Sequence, residues 1–482
     1  MTTISLNIGI DFGTRYTKVC IRNTDTDKSE VVRLGRARTN VDKALILSQV
    51  GICDDGKLLG GITEDEWNGH KVKSSCALTI DFIKMRLAQL DNKREDVNWY
   101  SSTLPIFEQI NLGNTEVLEN LCAYFLYRVI QSTRENTKSD QRYYGVTIDW
   151  SANIGVPVEY CDSPSLERFR KVLYLAWHLY ERLPNPVSLT IYSLNKHLKE
   201  IRKLDFSETP CFAIPEIKAA IHSYTNSRQA KQGLYIFFDI GGGTLEGVAF
   251  RLKTNQIEFL AGVVEPVGVN ALVKQAVNDN PELESKLEKY IVRNGNMLLD
   301  KIAEASLKHT KPPSGTKLHI ANKHRAILEN VKRARTSSNQ KDKPNLYFLL
   351  TLICGQYLIH RQVSHVVFTC YSKLRDKEEI SIFLGGGGKT SDYYKDTIPS
   401  TREVFKLGNA GVRDFKMLDV PVPNDLEMNE IEETHFHRFA VAYGLSIPDY
   451  EVLNSKLPSK CPIHIPPRPR QKFTPDSAQD DG

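Results

Sequence analysis

Residues 234–250 read Leu234-Tyr235-Ile236-Phe237-Phe238-Asp239-Ile240-Gly241-Gly242-Gly243-Thr244-Leu245-Glu246-Gly247-Val248-Ala249-Phe250. An apolar run ends on an aspartate, three glycines reverse the chain, and a second apolar run leaves. That is the pattern of a β-hairpin with an acid at the end of its first strand. Glycines remove the Cβ atoms that would hold a ligand off the backbone, so several N–H groups can converge on one anion. An aspartate beside such a nest makes sense where a divalent cation bridges it, through water, to a phosphate. For one motif in isolation, an ordinary glycine turn on a surface hairpin is the competing reading.

The layout recurs. Leu6-Asn7-Ile8-Gly9-Ile10-Asp11-Phe12-Gly13-Thr14-Arg15-Tyr16-Thr17-Lys18-Val19-Cys20-Ile21 again runs apolar strand, aspartate, glycine, threonine, apolar strand. A third glycine reversal, Gly385-Gly386-Gly387-Gly388-Lys389, follows the strand-like Ile380-Ser381-Ile382-Phe383-Leu384. Two Asp-x-Gly hairpins in one chain point to a duplicated fold with two phosphate-facing hairpins, the third loop serving another part of the ligand.

In this order the three motifs resemble those of the actin, sugar-kinase and DnaK-type chaperone ATPase superfamily. Within it, the chain is most similar to the nucleotide-binding domain of DnaK-type heat-shock chaperones. The likeness runs in order from residue 5 to residue 446, carried by motifs with long unmatched stretches between them. It implies an α/β protein with an actin-like ATPase fold, two duplicated ribonuclease-H-like lobes around a nucleotide cleft. Residues 1–232 would form lobe I, with the first phosphate hairpin and the first connection. Residues 233–447 would form lobe II, with the second hairpin, the adenosine motifs and a C-terminal helix returning to lobe I. Residues 448–482 carry seven prolines and a polar end, and are expected to be a disordered tail. Within the tail, Pro466-Pro467-Arg468-Pro469-Arg470 favours an extended polyproline conformation, and a docking tag is the alternative.

Composition agrees with a soluble globular protein of more than one folding unit: 482 residues, 41% hydrophobic, 25% charged. A net charge of +5, spread along the chain, is too mild to argue for nucleic acid. Nine cysteines without a Cys-x-x-Cys pair read as reduced thiols of a cytoplasmic protein. The first residues carry no secretory pattern, and the longest apolar run, Leu346 to Ile359, falls short of the roughly 20 residues of a membrane span.

Between the hairpins the pattern yields further elements. Val117, Leu121, Phe125 and Val129 form one stripe of a helix from Asn114 to Ser132, capped by Asn114 or Thr115. Trp150 to Pro157 reads as a strand, and Ser163-Pro164 opens a helix to about Leu183. Ala213 to Ile221 reads as an alanine-rich helix that packs closely across a lobe junction, and Gly262 to Val277 as a second connection with its helix. Phe439-Ala440-Val441-Ala442-Tyr443-Gly444 is similar to the helix that closes the chaperone nucleotide domain.

The resemblance also assigns roles. Asp11 and Asp239 would hold hydrated Mg²⁺. Gly13, Thr14 and Arg15, with Gly241, Gly242, Gly243 and Thr244, would contact the phosphates of ATP or ADP. Lys84, in Asp81-Phe82-Ile83-Lys84-Met85-Arg86-Leu87, would offset charge on the γ-phosphate; a solvated helix lysine is the alternative. Glu216 would orient the attacking water, although the family's Glu-Pro order is Pro215-Glu216 here; the alternative is a helix N-terminal acid favoured by the dipole. Glu329, Lys332, Arg333 and Thr336 match an adenosine-contacting helix, with a solvated charged face or a basic nucleic-acid patch as alternatives. Gly385, Gly386, Gly387 and Lys389 would meet the base, lysine standing where the family has a stacking arginine.

Glu246 occupies the position of a shorter family aspartate and lengthens the side chain by about 1.5 Å. Together these departures imply slow hydrolysis, and Glu246→Asp is expected to raise the single-turnover rate. No P-loop pattern is present. His435 and His437 are expected to face solvent. The functional expectation is a slow, Mg-dependent ATPase acting as a conformational switch for a partner protein, such as a nucleotide-exchange factor or co-chaperone. Nothing in the chain provides the peptide-binding domain of the chaperones. An actin-like filament-forming ATPase, with self-association, is the runner-up; a small-molecule kinase ranks third.

Overall fold

The computed structural model describes residues 2–73, 76–88, 114–185, 187–254, 256–278, 358–367, 369–370, 380–407, 415–448 and 454–456. The protein is a mixed α/β structure whose two main sheets are each seeded by one of the aspartate hairpins.

Strand β1 (Thr3–Asp11) pairs antiparallel with β2 (Tyr16–Asn23), setting Asp11 opposite Lys18. Then come β3 (Lys28–Val31), α1 (Asn40–Lys43) and β4 (Ile46–Leu47), followed by a small antiparallel sheet of β5 (Val50–Cys53), β6 (Leu58–Gly60) and β7 (Cys76–Ile80). Helices α2 (Glu64–Lys73), α3 (Ile83–Ala88) and α4 (Thr115–Ser139) precede β8 (Thr147–Val156), which runs parallel to β1. Helices α5 (Pro164–Arg182) and α6 (Ile191–Ile201) lead to β9 (Cys211–Pro215), parallel to β8, and then to α7 (Glu216–Ala220) and α8 (His222–Thr225). The second hairpin is β10 (Gly233–Ile240) and β11 (Leu245–Lys253), with β12 (Gln256–Glu265) antiparallel to β11. After α9 (Val269–Asn278) come β13 (Ile380–Gly385), parallel to β10, α10 (Asp392–Leu407), and β14 (Phe415–Leu418), parallel to β13. The described chain ends with β15 (Leu426–Glu427), α11 (Ala440–Ser446) and β16 (Asn454–Lys456).

The two main sheets repeat one plan. The first is ordered β15-β3-β2-β1-β8-β9, with β4 paired to β2, and the second β14-β13-β10-β11-β12-β16. From β3 through β9, successive pairings are antiparallel, antiparallel, parallel, parallel. From β12 back through β14 the series is the same. Each sheet also takes a short parallel strand on its antiparallel edge, β15 on β3 and β16 on β12. The duplication expected from the two hairpins therefore extends to five strands per sheet.

Local chemistry explains where elements start and stop. Asn114 caps α4 by accepting the Glu116 N–H at 2.9 Å. The helix runs beyond the expected Ser132, because Thr133 and Thr137 turn their hydroxyls onto helix carbonyls and no glycine or proline intervenes. Ser163 caps α5 with Pro164 in the first turn, as expected. The expected helix from Ala213 is a correction: Cys211–Pro215 is a strand, and helix begins only at Glu216. Proline disfavours helical geometry in the residue before it and is itself tolerated at a helix start. Likewise Gly262 to Glu265 completes β12, and α9 starts at Val269.

Helices α4 and α5 cover one face of the first sheet, where Phe12 stacks on Phe125 with ring centroids 5.6 Å apart. Helix α11 packs on β1, β2, β8 and α7. A Cβ on Gly9 would lie 2.2 Å from the Ser446 nitrogen, and one on Gly444 would lie 2.0 Å from the Ala219 carbonyl oxygen. Both contacts need glycine. The Asn7 and Asn153 amides donate to the Ser446 and Leu445 carbonyls at 2.8 Å each, satisfying the C-terminal end of α11. Among the described residues no helix is long and apolar enough to cross a membrane.

Candidate functional site

The two hairpin tips meet. A Cβ on Gly243 would lie 2.2 Å from Thr14 Cγ2, and one on Gly242 would lie 2.4 Å from Arg15 Cβ. The second tip is pinned from behind: Gly241 donates to the Thr244 carbonyl at 2.9 Å, while Val269 and Ala271 at the start of α9 donate to the Gly241 and Gly242 carbonyls. Beside the tips opens a cleft of about 660 Å³. Its floor includes Gly386, Gly387 and Gly388, and Gly386 has φ +77°. A Cβ there would sit 2.4 Å from Asp239 Oδ1, so glycine lets the backbone cover that carboxylate.

Four carboxylates converge on the inner cleft. Asp11 is held by Lys18 at 2.5 Å, across the strand pair. Glu216, at the start of α7, is held by Lys84 of α3 at 2.5 Å, and both are buried. Burial pulls the Lys84 ammonium down, but Glu216 and Asp11 outweigh it and leave the group above its ordinary range. Burial pushes the Glu216 carboxyl up, with Lys84 opposing. Asp239 is different. Its Oδ1 is buried with no hydrogen-bond partner among the described residues, and burial, then Asp11 and Glu216, push its carboxyl up to about 7. Glu246 faces Asp239 across the β10–β11 pair; burial, then Glu216, raise its carboxyl well above the usual range.

Lys84 is aimed by a strained turn. Phe82 has φ +52°, an outlier for a bulky side chain, of the kind that costs about 1–3 kcal/mol and persists only when the surroundings enforce it. Here the Arg86 side chain donates to the Asp81 carbonyl at 2.8 Å, and Phe82 itself is buried.

Of the residues singled out from sequence, the structure brings Asp11, Gly13, Thr14, Arg15, Lys84 and Glu216 to one cleft wall or floor, with Asp239, Gly241, Gly242, Thr244 and Glu246 opposite. Gly386 and Gly387 join them. Gly243 lies between the tips, and Gly385 packs on Phe237. Lys389 is not on the cleft lining; its ammonium sits 2.5 Å from Asp419. Glu329, Lys332, Arg333 and Thr336 lie outside the described residues, as does most of the proline-rich tail.

The histidine expectation is corrected: His435 and His437 both line the cleft rim, because Phe436 between them is the buried anchor that seats their turn. The His437 Nδ1–H donates to the Thr434 carbonyl at 2.8 Å, and burial pushes the imidazole down to about 4, so it is neutral. Sequence reading also missed Lys18 and Glu64. Lys18 lies directly across the hairpin from Asp11, with six residues between them, a register that the glycine alone does not set. Glu64 was not legible, since its contacts with Arg15 Nη2 at 2.6 Å and the Tyr16 hydroxyl at 2.5 Å depend on where α2 docks.

Nine carboxyl and five Lys or Arg side chains line the cleft, so an anionic ligand needs a cation to accompany it. Among the described residues no group of three or more His, Cys, Asp and Glu side chains could hold a metal ion. Asp11 and Asp239, with the unpaired Asp239 oxygen, fit an ion such as magnesium that keeps most of its water. Compared with protein-family models and with curated proteins, the chain matches none.

Proposed function

We propose that the chain binds Mg-ATP in the cleft between its two sheets, hydrolyses it slowly, and serves as a nucleotide-driven switch for a partner protein. The observation that carries this reading is the meeting of two Asp-x-Gly hairpins, tip to tip, at an acidic cleft. The repeated strand plan of the two sheets supports the finer assignment, an actin-like ATPase fold of two ribonuclease-H-like lobes.

A magnesium ion held by Asp11 and Asp239 would supply charge neutralisation for the phosphates. Gly242 to Thr244 and Thr14 would offer backbone N–H groups and hydroxyls from the two tips, the Gly241 and Gly13 N–H groups being taken by the Thr244 and Asp11 carbonyls. Lys84, one of whose three N–H donors is on Glu216, would offer another to the terminal phosphate, and the Glu216 carboxylate beside it would orient water or accept its proton. Switching needs only a ligand that binds the closed arrangement better, so slow hydrolysis does not preclude it.

Isothermal titration tests the reading. Heat of ATP and ADP binding that is lost on chelating magnesium is the expected result. No binding of either nucleotide at millimolar concentration would overturn it.

A further inference from the structure

Where the two sheets adjoin at the back of the cleft, two glutamates reach across in opposite directions. Glu246 Oε1, on β11, accepts the Val158 N–H at 2.8 Å. Glu159 Oε2, the residue after Val158, accepts the Val264 N–H on β12 at 2.5 Å. Glu246 and Val264 are themselves directly opposed in the β11–β12 pair. Two adjacent residues at the end of the first sheet and one cross-strand pair of the second thus form a reciprocal clasp of two carboxylate-to-backbone hydrogen bonds. The Glu246–Val158 bond is buried, so losing it would leave an unpaired N–H out of water; Glu159 itself is exposed. Gly262, beside Val264, admits the Val158 side chain, which would be 3.0 Å from a Cβ there.

Glu246 has a second end. Its Oε2 is buried with no hydrogen-bond partner among the described residues, while the side chain lines the cleft. We infer that Glu246 is a positioning residue that couples the occupant of the cleft to the clasp between the two sheets, one carboxylate oxygen serving each. This rests on the Mg-ATP reading for the identity of the occupant, but the clasp does not. It also accounts for a glutamate at this position: a side chain shorter by about 1.5 Å cannot span to Val158 within hydrogen-bond distance unless the backbone moves. The expectation that Glu246→Asp speeds hydrolysis is accordingly reversed.

Two variants separate reach from charge. Glu246→Gln keeps an acceptor at full length and cannot ionise; Glu246→Asp keeps a carboxyl group and loses the reach. Valine-selective ¹⁵N labelling of the full chain reads amide exchange at Val158 without nucleotide. Exchange about tenfold faster in Glu246→Asp, with Glu246→Gln close to the parent, is expected. Equal exchange in Glu246→Asp and the parent overturns the clasp. Small-angle scattering with and without Mg-ATP reads the coupling: compaction should survive in Glu246→Gln and shrink in Glu246→Asp. Full compaction in Glu246→Asp, or loss confined to Glu246→Gln, overturns it. Should the parent bind no nucleotide in titration, the Mg-ATP reading falls and the coupling to nucleotide falls with it, whereas the Val158 exchange still decides the clasp. Glu159→Gln is the control for folding, since it lies on the clasp but off the cleft lining.

Discussion

The two hairpins look alike in sequence and differ in charge. In the first, Asp11 faces a lysine across its own strand pair, so the carboxylate is neutralised before any ligand arrives. In the second, the same register position sets Asp239 against another acid, Glu246. The first tip is also tied to its surroundings, with Arg15 and Tyr16 both on Glu64. Asp239 keeps an unpaired buried oxygen and a carboxyl raised to about 7. A duplicated scaffold thus carries one charge-balanced hairpin and one that lacks a cation, and the second is where a bound ion gains most. Local destabilisation of this kind is what functional sites store.

The sharpest way to break this comparison is to remove each aspartate in turn. Sequence alone makes Asp11→Asn and Asp239→Asn equivalent, each abolishing hydrolysis. The charge difference predicts inequality. Asp239→Asn should lower single-turnover hydrolysis by about 10²–10³-fold, and Asp11→Asn by about tenfold, since Lys18 is then freed to meet phosphate. Equal losses in rapid-quench measurements would show that the two carboxylates do the same work.

Lys18→Met converts the first hairpin toward the second. The side chain keeps its length and loses its charge, leaving Asp11 buried without its cation. Unliganded stability should fall by about 2–3 kcal/mol, below the full value for a deeply buried pair because the cleft admits water. Magnesium with ATP should then restore more stability than it gives the parent. Urea unfolding with and without Mg-ATP measures both; an unchanged ligand-induced gain would mean that Lys18 does not stand in for an ion.

The paired glycines offer a smaller test. A Cβ on Gly13 would lie 2.2 Å from the Tyr16 carbonyl oxygen, whereas one on Gly241 would lie 3.1 Å from that of Thr244. Gly13→Ala must move backbone and should cost about 2 kcal/mol; Gly241→Ala should cost under about 1 kcal/mol. The ranking is read from denaturation midpoints, and its reversal would mean that the second tip is the tighter turn.

What sequence could show was local. Glycines, flanking apolar runs and the aspartates gave both hairpins, and Asn114 and Ser163-Pro164 announced α4 and α5, because caps and turns act over a few residues. Pro215 displaced the expected helix start by local chemistry that the alanines concealed. The clasp of Glu246 on Val158 and the docking of Glu64 on Arg15 join segments far apart in the chain. Such contacts depend on how sheets and helices pack, and no spacing encodes them. The same holds for the raised Asp239 carboxyl, which is set by burial and by charged neighbours from four other elements.

The smallest effect concerns pH. The Asp239 carboxyl has an ordinary value of 3.8 and stands near 7 in the folded, unliganded protein. The folded state therefore holds this proton more tightly than the unfolded chain does between those values. The resulting stabilisation is fully present below about pH 4 and is lost as pH rises through about 7, so the slope of stability against pH is negative there. Across about pH 5.5 to 8 the loss should be about 1 kcal/mol, less than the whole shift implies because water can enter an open cleft. Asp239→Asn, which cannot titrate, should flatten that part of the profile and make the unliganded protein the more stable of the two at pH 8. Asp11→Asn should keep a negative slope but end it at lower pH, because Asp239 still titrates and has lost the charge that, after burial, raises it most. Thermal unfolding of the three proteins across this range, without nucleotide or magnesium, checks the point. Parallel profiles for parent and Asp239→Asn would show that the second hairpin is as charge-balanced as the first.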